Sequence, residues 1–268
     1  LILQTFYSKS HKILLDKYFI PSIRDKNLNL ITDEIPQECS GVYMRDNWNS
    51  SMLRKLEFCR NLAEGNEAFI HSDCDIQFFK PIKDDVENTL KECDIAFQHD
   101  GQGHLCAGLF CANPSPKIAE LFQLAIDMVK SKSTQHDQHA LNLILRSGKS
   151  GIKYGYMPKT WWTHGSESFD IWRGEELNPP KDIVAHHANW VGGVENKIKL
   201  LEHVMEKVYN GKYTWVKKNA TTCCLDSVYG KSEDTFLLMP IGKDGREILK
   251  SSKLTKEVIE ECTKRGAM

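Results

Sequence analysis

Along the chain, short apolar runs alternate with longer stretches in which apolar residues recur every three or four positions, the pattern of strands interleaved with amphipathic helices. Residues 1–7 are apolar and β-prone. Ser8-Lys9-Ser10-His11 follows, then a helical pattern through Leu14, Leu15, Tyr18 and Phe19, so the chain opens as a βα unit. Pro21 breaks or redirects that helix, and residues 29–33 form a weaker second strand. Between Asn47 and Leu62, the apolar positions Trp48, Met52, Leu53, Leu56, Cys59 and Leu62 have helical spacing, and Gly65-Asn66 stops the helix before a strand at Ala68. A helix over residues 84–91 and a strand over 94–97 make the next pair. A strand over 108–112, an amphipathic helix over Pro116–Lys130 and a helix over 138–145 come after it. This alternation predicts an α/β fold with a mostly parallel central sheet flanked by helices.

Beyond Gly151 the texture shifts to Gly, Pro, Trp and His in long irregular stretches, which either pack on the sheet or form a binding rim. Within them, Trp161, Trp162, His164 and Trp172 are either an aromatic binding platform or a hydrophobic brace. A last helix covers residues 195–209. The pattern divides the chain into a main α/β unit, 1–211, and a polar C-terminal extension, 212–268, to which it assigns no architecture.

Composition narrows the function classes. A length of 268 residues, 41% hydrophobic and 26% charged, suits one enzyme-sized globular unit. The 35 basic and 36 acidic residues nearly cancel, which argues against a generic nucleic-acid or anionic-membrane surface. The cysteines (Cys39, Cys59, Cys74, Cys93, Cys106, Cys111, Cys223, Cys224 and Cys262) show no regular framework. They point to a reducing compartment, so the expected location is cytoplasmic. Adjacent Cys223-Cys224 lack the Cys-x-x-Cys spacing of a zinc site. No apolar stretch approaches the ~20 residues of a membrane span, and the start at Leu1 is compatible with a removed leader or anchor.

The chemistry concentrates at Asp73-Cys74-Asp75, where an apolar run from Ala68 meets a loop. Residues two apart in an extended chain point the same way, so both carboxylates can face one hard cation. Alone, such a pair is as readily two solvated loop acids. The location favours a site, because α/β sheets bind ligands beyond the carboxyl ends of their strands.

Two further motifs stand with this one: His136-Asp137-Gln138-His139-Ala140-Leu141-Asn142, and His186-His187-Ala188-Asn189-Trp190-Val191-Gly192-Gly193-Val194-Glu195-Asn196-Lys197. Together they resemble the nucleotide-diphosphosugar transferases of the GT-A fold, particularly glycosyltransferase family 77 and more distantly family 8, over about residues 1–201. The resemblance implies Asp73, Asp75 and His187 as metal ligands, with Asp73 also touching the donor. Mn²⁺ is the expected ion and Mg²⁺ the alternative. It further implies that Asp137 binds donor-sugar hydroxyls and that Gln138 lies near the anomeric carbon. If the reaction inverts, Asp137 is the candidate general base. Asp100 and Asn189 are expected at the donor. Lys55, beside Arg54 on the preceding helix, is expected to steady nucleotide or diphosphate, unless it is a surface base. Gly192 and Gly193 would let backbone approach phosphate, and Lys197 would meet the β-phosphate.

Cys106-Ala107-Gly108 stands where these families tend to have Asn-Ala-Gly, a departure that weakens transfer of sugar specificity. The expected reaction moves a sugar from a UDP-sugar to a glycan or glycoprotein hydroxyl, with a pentose such as xylose ahead of galactose or arabinose, and with retention. Two rivals stay open. A metal-dependent phosphohydrolase or nucleotidyltransferase also pairs carboxylates around an ion but has no need of the Asp137-Gln138 element. A carbohydrate-binding module would keep the fold without turnover.

Overall fold

The computed structural model describes residues 1–25, 27–36, 48–168, 170–209, 213–217 and 236–240. The chain begins with β1 (Ile2–Tyr7), followed by α1 (Lys12–Leu14) and α2 (Ile20–Ser22) on either side of a π-helical turn, Leu15–Phe19. Pro21 sits in the first turn of α2. The wider turn ahead of it accommodates a residue that has no N–H to donate, so the proline redirects the helix without ending it there. The chain continues through β2 (Asn29–Glu34), α3 (Trp48–Ala63), β3 (Phe69–Ser72), β4 (Ile76–Phe78), α4 (Lys83–Glu92), β5 (Ile95–His99) and β6 (Leu105–Ala112). After these come α5 (Pro116–Lys130), α6 (Asp137–Arg146), β7 (Tyr154–Tyr156), β8 (Trp161–Trp162), α7 (Gly165–Ser168), β9 (Ala185–His187) and α8 (Val194–Tyr209). Two paired strands, β10 (Tyr213–Lys217) and β11 (Phe236–Pro240), complete the described chain. The expected boundary at 211/212, Asn47, and Cys39, Cys223, Cys224 and Cys262 lie outside the described residues.

The main sheet has the order β2-β1-β3-β6-β5-β7. All its pairings are parallel except those of β6, which runs antiparallel to both β3 and β5. The sheet is therefore mostly parallel, as the alternation predicts. The reversal of β6 has a local cause: only residues 100–104 join it to β5, and a connection that short makes a hairpin, whereas a parallel partner needs a long crossover. Gly101, Gln102 and Gly103 turn the chain there with φ of 77°, 45° and 74°. A second, smaller sheet has the order β4-β9-β8.

Both faces of the main sheet are covered, which explains why its strands read as near-continuous apolar runs. Alternation sends Phe69 to one core and Ile70 to the other. The core under α3, α5 and α6 centres on Phe110, whose ring lies 6.4 Å from Phe69, 5.2 Å from Phe97 and 5.7 Å from Phe122. The opposite core joins Leu3, Ile70 and Phe78 to Trp161, Trp162 and, on α8, Leu200, Leu201 and Val204. Trp161, Trp162 and His164 are all buried, so these three brace the loops from beneath and do not form a platform. No helix among the described residues is long and apolar enough to cross a membrane.

Phe110→Ala is expected to cost about 3–5 kcal/mol in urea unfolding, because it empties the centre of a ring cluster. A loss below ~1 kcal/mol would place the weight of that core elsewhere.

Candidate metal and donor site

β3 ends at Ser72 and the chain turns through Asp73-Cys74-Asp75 into β4, which belongs to the other sheet. The two carboxylates meet through this turn and not through the alternation of an extended strand. Pairing then brings in the histidine: Ile76 lies opposite His187 in the antiparallel β4/β9 register, and Ala188 N–H donates to the Asp75 carbonyl at 3.0 Å. One ligand atom from each of Asp73, Asp75 and His187 lies within 4.8 Å of the others. Among the described residues no other group of three His, Cys, Asp or Glu side chains converges in this way. Two carboxylates and one imidazole suit a divalent ion of the Mn²⁺ or Mg²⁺ kind, Mn²⁺ better for the nitrogen.

Gly108 makes the convergence sterically possible. A Cβ there would sit 2.5 Å from His187 Cε1 and 2.7 Å from Asp73 Oδ2. Its carbonyl also accepts from Asp73 N–H at 2.7 Å. This segment is available because the β5/β6 ladder shifts register: Phe97 pairs with Phe110 but Gln98 with Cys106, leaving residues 107–109 out of step with β5. Ala107 is used on both sides, its N–H donating to Gln138 Oε1 at 3.0 Å and its carbonyl accepting from Lys55 Nζ at 3.3 Å.

Two ammonium groups neutralise the acids. Lys197, on the first turns of α8, pairs with Asp75 and donates to the Ala188 carbonyl at 3.2 Å. Burial would raise the Asp75 carboxyl, but the Lys197 and His187 charges outweigh it and hold it far below the usual range. Burial opposes charge on His187 as well, yet Asp75, 3.4 Å from Nε2, pushes the imidazole up to about 10. Lys55 is buried, not snorkelling at the surface: it pairs with Asp137 and stands 3.9 Å from Asp73. Burial again works to raise Asp137, and the Lys55 ammonium overrides it, keeping this carboxyl well below the ordinary range. A carboxylate so held stays ionised, with its charge set against the Lys55 ammonium. His136 is the cap residue of α6, with extended backbone, and Asp137 is the first residue of the helix.

Asp100 is buried and accepts from three side chains: Gln138 Nε2 at 2.9 Å, and Asn189 Nδ2 and Trp190 Nε1 at 2.8 Å each. Trp190 has φ of 54°, and its indole passes so close to Gly165 that a Cβ there would lie 1.9 Å from Trp190 Cδ1. Space is open over Gly192 and Gly193, and Gly193 turns into α8 with φ of 81°. The structure thus gathers Asp73, Asp75, His187 and Lys197 in one contact group. Lys55, Asp137, Gln138, Asp100 and Asn189 form a second group, joined to the first through Lys55 and Asp73.

Sequence reasoning missed the groups behind the acids. His71 Nδ1 lies 2.7 Å from Gln4 Oε1 and its Nε2 lies 3.3 Å from Asp73 Oδ1. Gln98 Oε1 is 2.9 Å from His187 Nδ1, and Cys106 Sγ is 3.6 Å from that same nitrogen. The available signal was a polar side chain inside an apolar strand, as in Phe69-Ile70-His71 and Ala96-Phe97-Gln98.

The family model described as nucleotide-diphospho-sugar transferase matches residues 13–201. Solved structures similar to the chain include the glycosyltransferase GlyE of Streptococcus pneumoniae TIGR4, at 15% identity over 63% of this chain and 46% of that one, with a TM-score of 0.43. Its apo form aligns at 16% identity over 69% and 53%, with a TM-score of 0.46. The chain spans about half the length of these structures. No curated protein matches it.

Two outcomes follow from the geometry. Gly108→Ala should weaken Mn²⁺ binding by about 10-fold or more, measured by electron paramagnetic resonance, while the circular dichroism spectrum stays that of a folded protein. Because the His187 imidazole is held protonated up to about pH 10, a metal ion must expel a proton to bind. Mn²⁺ affinity should therefore climb by up to about tenfold per pH unit below that value, and a flat profile would remove His187 from the ligand set.

Proposed function

The chain belongs to the nucleotide-diphospho-sugar transferase family, and we propose that it is a divalent-metal-dependent glycosyltransferase that moves a sugar from a UDP-sugar to a glycan hydroxyl with retention. The observation that carries this reading is the convergence of Asp73, Asp75 and His187 around the missing side chain of Gly108. The donor we favour carries a pentose such as xylose. The catalytic unit is assigned to residues 1–211, with 212–268 as an extension.

Mn²⁺, or Mg²⁺ in its place, held by Asp73, Asp75 and His187 would supply positive charge against the donor diphosphate and so ease its departure. Lys197 delivers an ammonium to the same place, where it meets the charge that builds on the leaving nucleoside diphosphate. Gly192 and Gly193, open on their outer side, leave room for phosphate beside the start of α8. Lys55 fixes Asp137 and Asp73 relative to one another. Asp137, Asp100 and Asn189 orient the sugar through its hydroxyls, with Lys55 supporting the donor side of the cleft.

The carboxamide of Gln138 is tied at both ends, to Ala107 and to Asp100. It is a poor nucleophile and serves to shield the anomeric carbon. With no strong nucleophile on the opposite face, the acceptor hydroxyl attacks from the side of the leaving group and passes its proton to the departing phosphate oxygen. That course gives retention.

The test is incubation with Mn²⁺ and a panel of UDP-sugars, following nucleotide products by chromatography. UDP release, fastest with a UDP-pentose, is expected, and Asp75→Ala should lower it by about 100-fold or more. Release of nucleoside monophosphate would instead favour a phosphohydrolase, and binding without products a carbohydrate-binding module.

A further inference from the structure

Gln98 lies on β5, fully buried, on the strand face shared with Ala96 and directed at the smaller sheet. Its amide has no freedom of orientation. Nε2 donates to two carbonyls of β8, Trp161 at 3.2 Å and Trp162 at 3.1 Å. Turning the amide over would set Oε1 against both carbonyl oxygens, none of which can donate. Oε1 must therefore face the other way, where His187 Nδ1 lies at 2.9 Å.

An amide oxygen only accepts, so Nδ1 must carry a hydrogen. In the neutral imidazole, the form that can ligate an ion, that hydrogen is the only one, and Nε2 is then bare. Nε2 is the nitrogen that stands 3.4 Å from Asp75 Oδ1, on the side where the acids converge. Ring position is set by the same contact, together with Cys106 Sγ behind Nδ1 and the vacant Cβ position of Gly108 beside Cε1.

We propose that Gln98 is the positioning residue of this site, fixing both the tautomer and the orientation of His187 so that Nε2 is offered toward Asp73 and Asp75. The inference rests on the reading of His187 as a ligand for a divalent ion. It goes beyond that reading in assigning a role to a residue outside all three motifs, and a reason for the paired β8 carbonyls to lie where they do. Partners of this kind behind a ligating histidine, when removed, cost metal affinity although they never touch the ion.

Two variants separate positioning from simple support. Gln98→Met fills the space and removes both the acceptor and the donors. Gln98→Glu keeps an oxygen to accept from Nδ1–H and removes the donation to β8. Mn²⁺ affinity in the presence of UDP, read by electron paramagnetic resonance, should fall by about 10–100-fold in Gln98→Met. In Gln98→Glu it should stay close to wild type even where the melting temperature drops. In the ¹⁵N-histidine spectrum of protein loaded with Mg²⁺ and UDP, one imidazole should carry a slowly exchanging Nδ1-bound proton that Gln98→Met loses.

Unchanged Mn²⁺ affinity in Gln98→Met would overturn the assignment. So would equal losses in both variants that track their melting temperatures, since that is the behaviour of a purely structural residue. A wild-type protein that takes up no Mn²⁺ with or without UDP would sink the metal reading itself, a result distinct from either of these.

Discussion

The arrangement at the carboxyl end of β3 depends on charge balance in a buried place. Asp73, Asp75 and Asp137 face Lys55, Lys197 and the imidazole of His187 across a few ångströms. Taking any one of these charges out of water costs several kcal/mol unless an opposite charge and good hydrogen bonds meet it. Each acid here has such a partner, and each lysine also has a backbone carbonyl, Ala107 for Lys55 and Ala188 for Lys197. The pairing explains why the acids stay ionised although burial works against it. It also makes the site responsive, because a cation placed among Asp73, Asp75 and His187 competes with charges already there.

Backbone irregularity supplies what regular strands would withhold. In an unbroken ladder Ala107 and Gly108 would spend their polar groups on β5. The register shift at Phe97/Gln98 releases them to Gln138, Lys55 and Asp73 instead. The hairpin through residues 100–104 reverses β6, and this reversal sets the segment 105–108 alongside the carboxyl end of β3. Topology and site chemistry therefore have one origin in the β5/β6 connection.

Much of this was legible in the sequence, for local reasons. Helical spacing located α3, α5, α6 and α8 closely, since an amphipathic stripe writes its period into neighbouring residues. Asp73, Asp75 and His187 could be picked out because they sit in compact motifs. The direction of β6 was not legible from an apolar run alone, nor was the turn that joins the two acids. Gln98, His71 and Gln4 escaped for a different reason: each acts on a partner more than sixty residues away or across a strand pair, and the chain carries no mark of which polar residue will be enclosed. The Trp161-Trp162 pair is a further case, where composition left a binding platform and a hydrophobic brace both open and only packing made it core.

One segment, residues 187–197, ties the separate tasks together. It begins with His187 beside Asp75, continues through Asn189 and Trp190 on Asp100, and ends at Lys197, which returns to Asp75. Asp100 in turn holds Gln138 at the start of α6. A shift of this segment by an ångström would alter the contacts to Asp75 and, through Asp100, to Gln138 at once. The three hydrogen bonds on Asp100 and the enclosure of the Trp190 indole against Gly165 resist such a shift. Lys197, by contrast, is held at its tip by a single ion pair and one carbonyl, and an incoming dication would weaken that ion pair while an incoming diphosphate would give the ammonium a new partner. Under the proposed function, cation and sugar nucleotide would favour each other's binding through Asp75, while the rigid part of the segment keeps Asp75 and Asp100 in register.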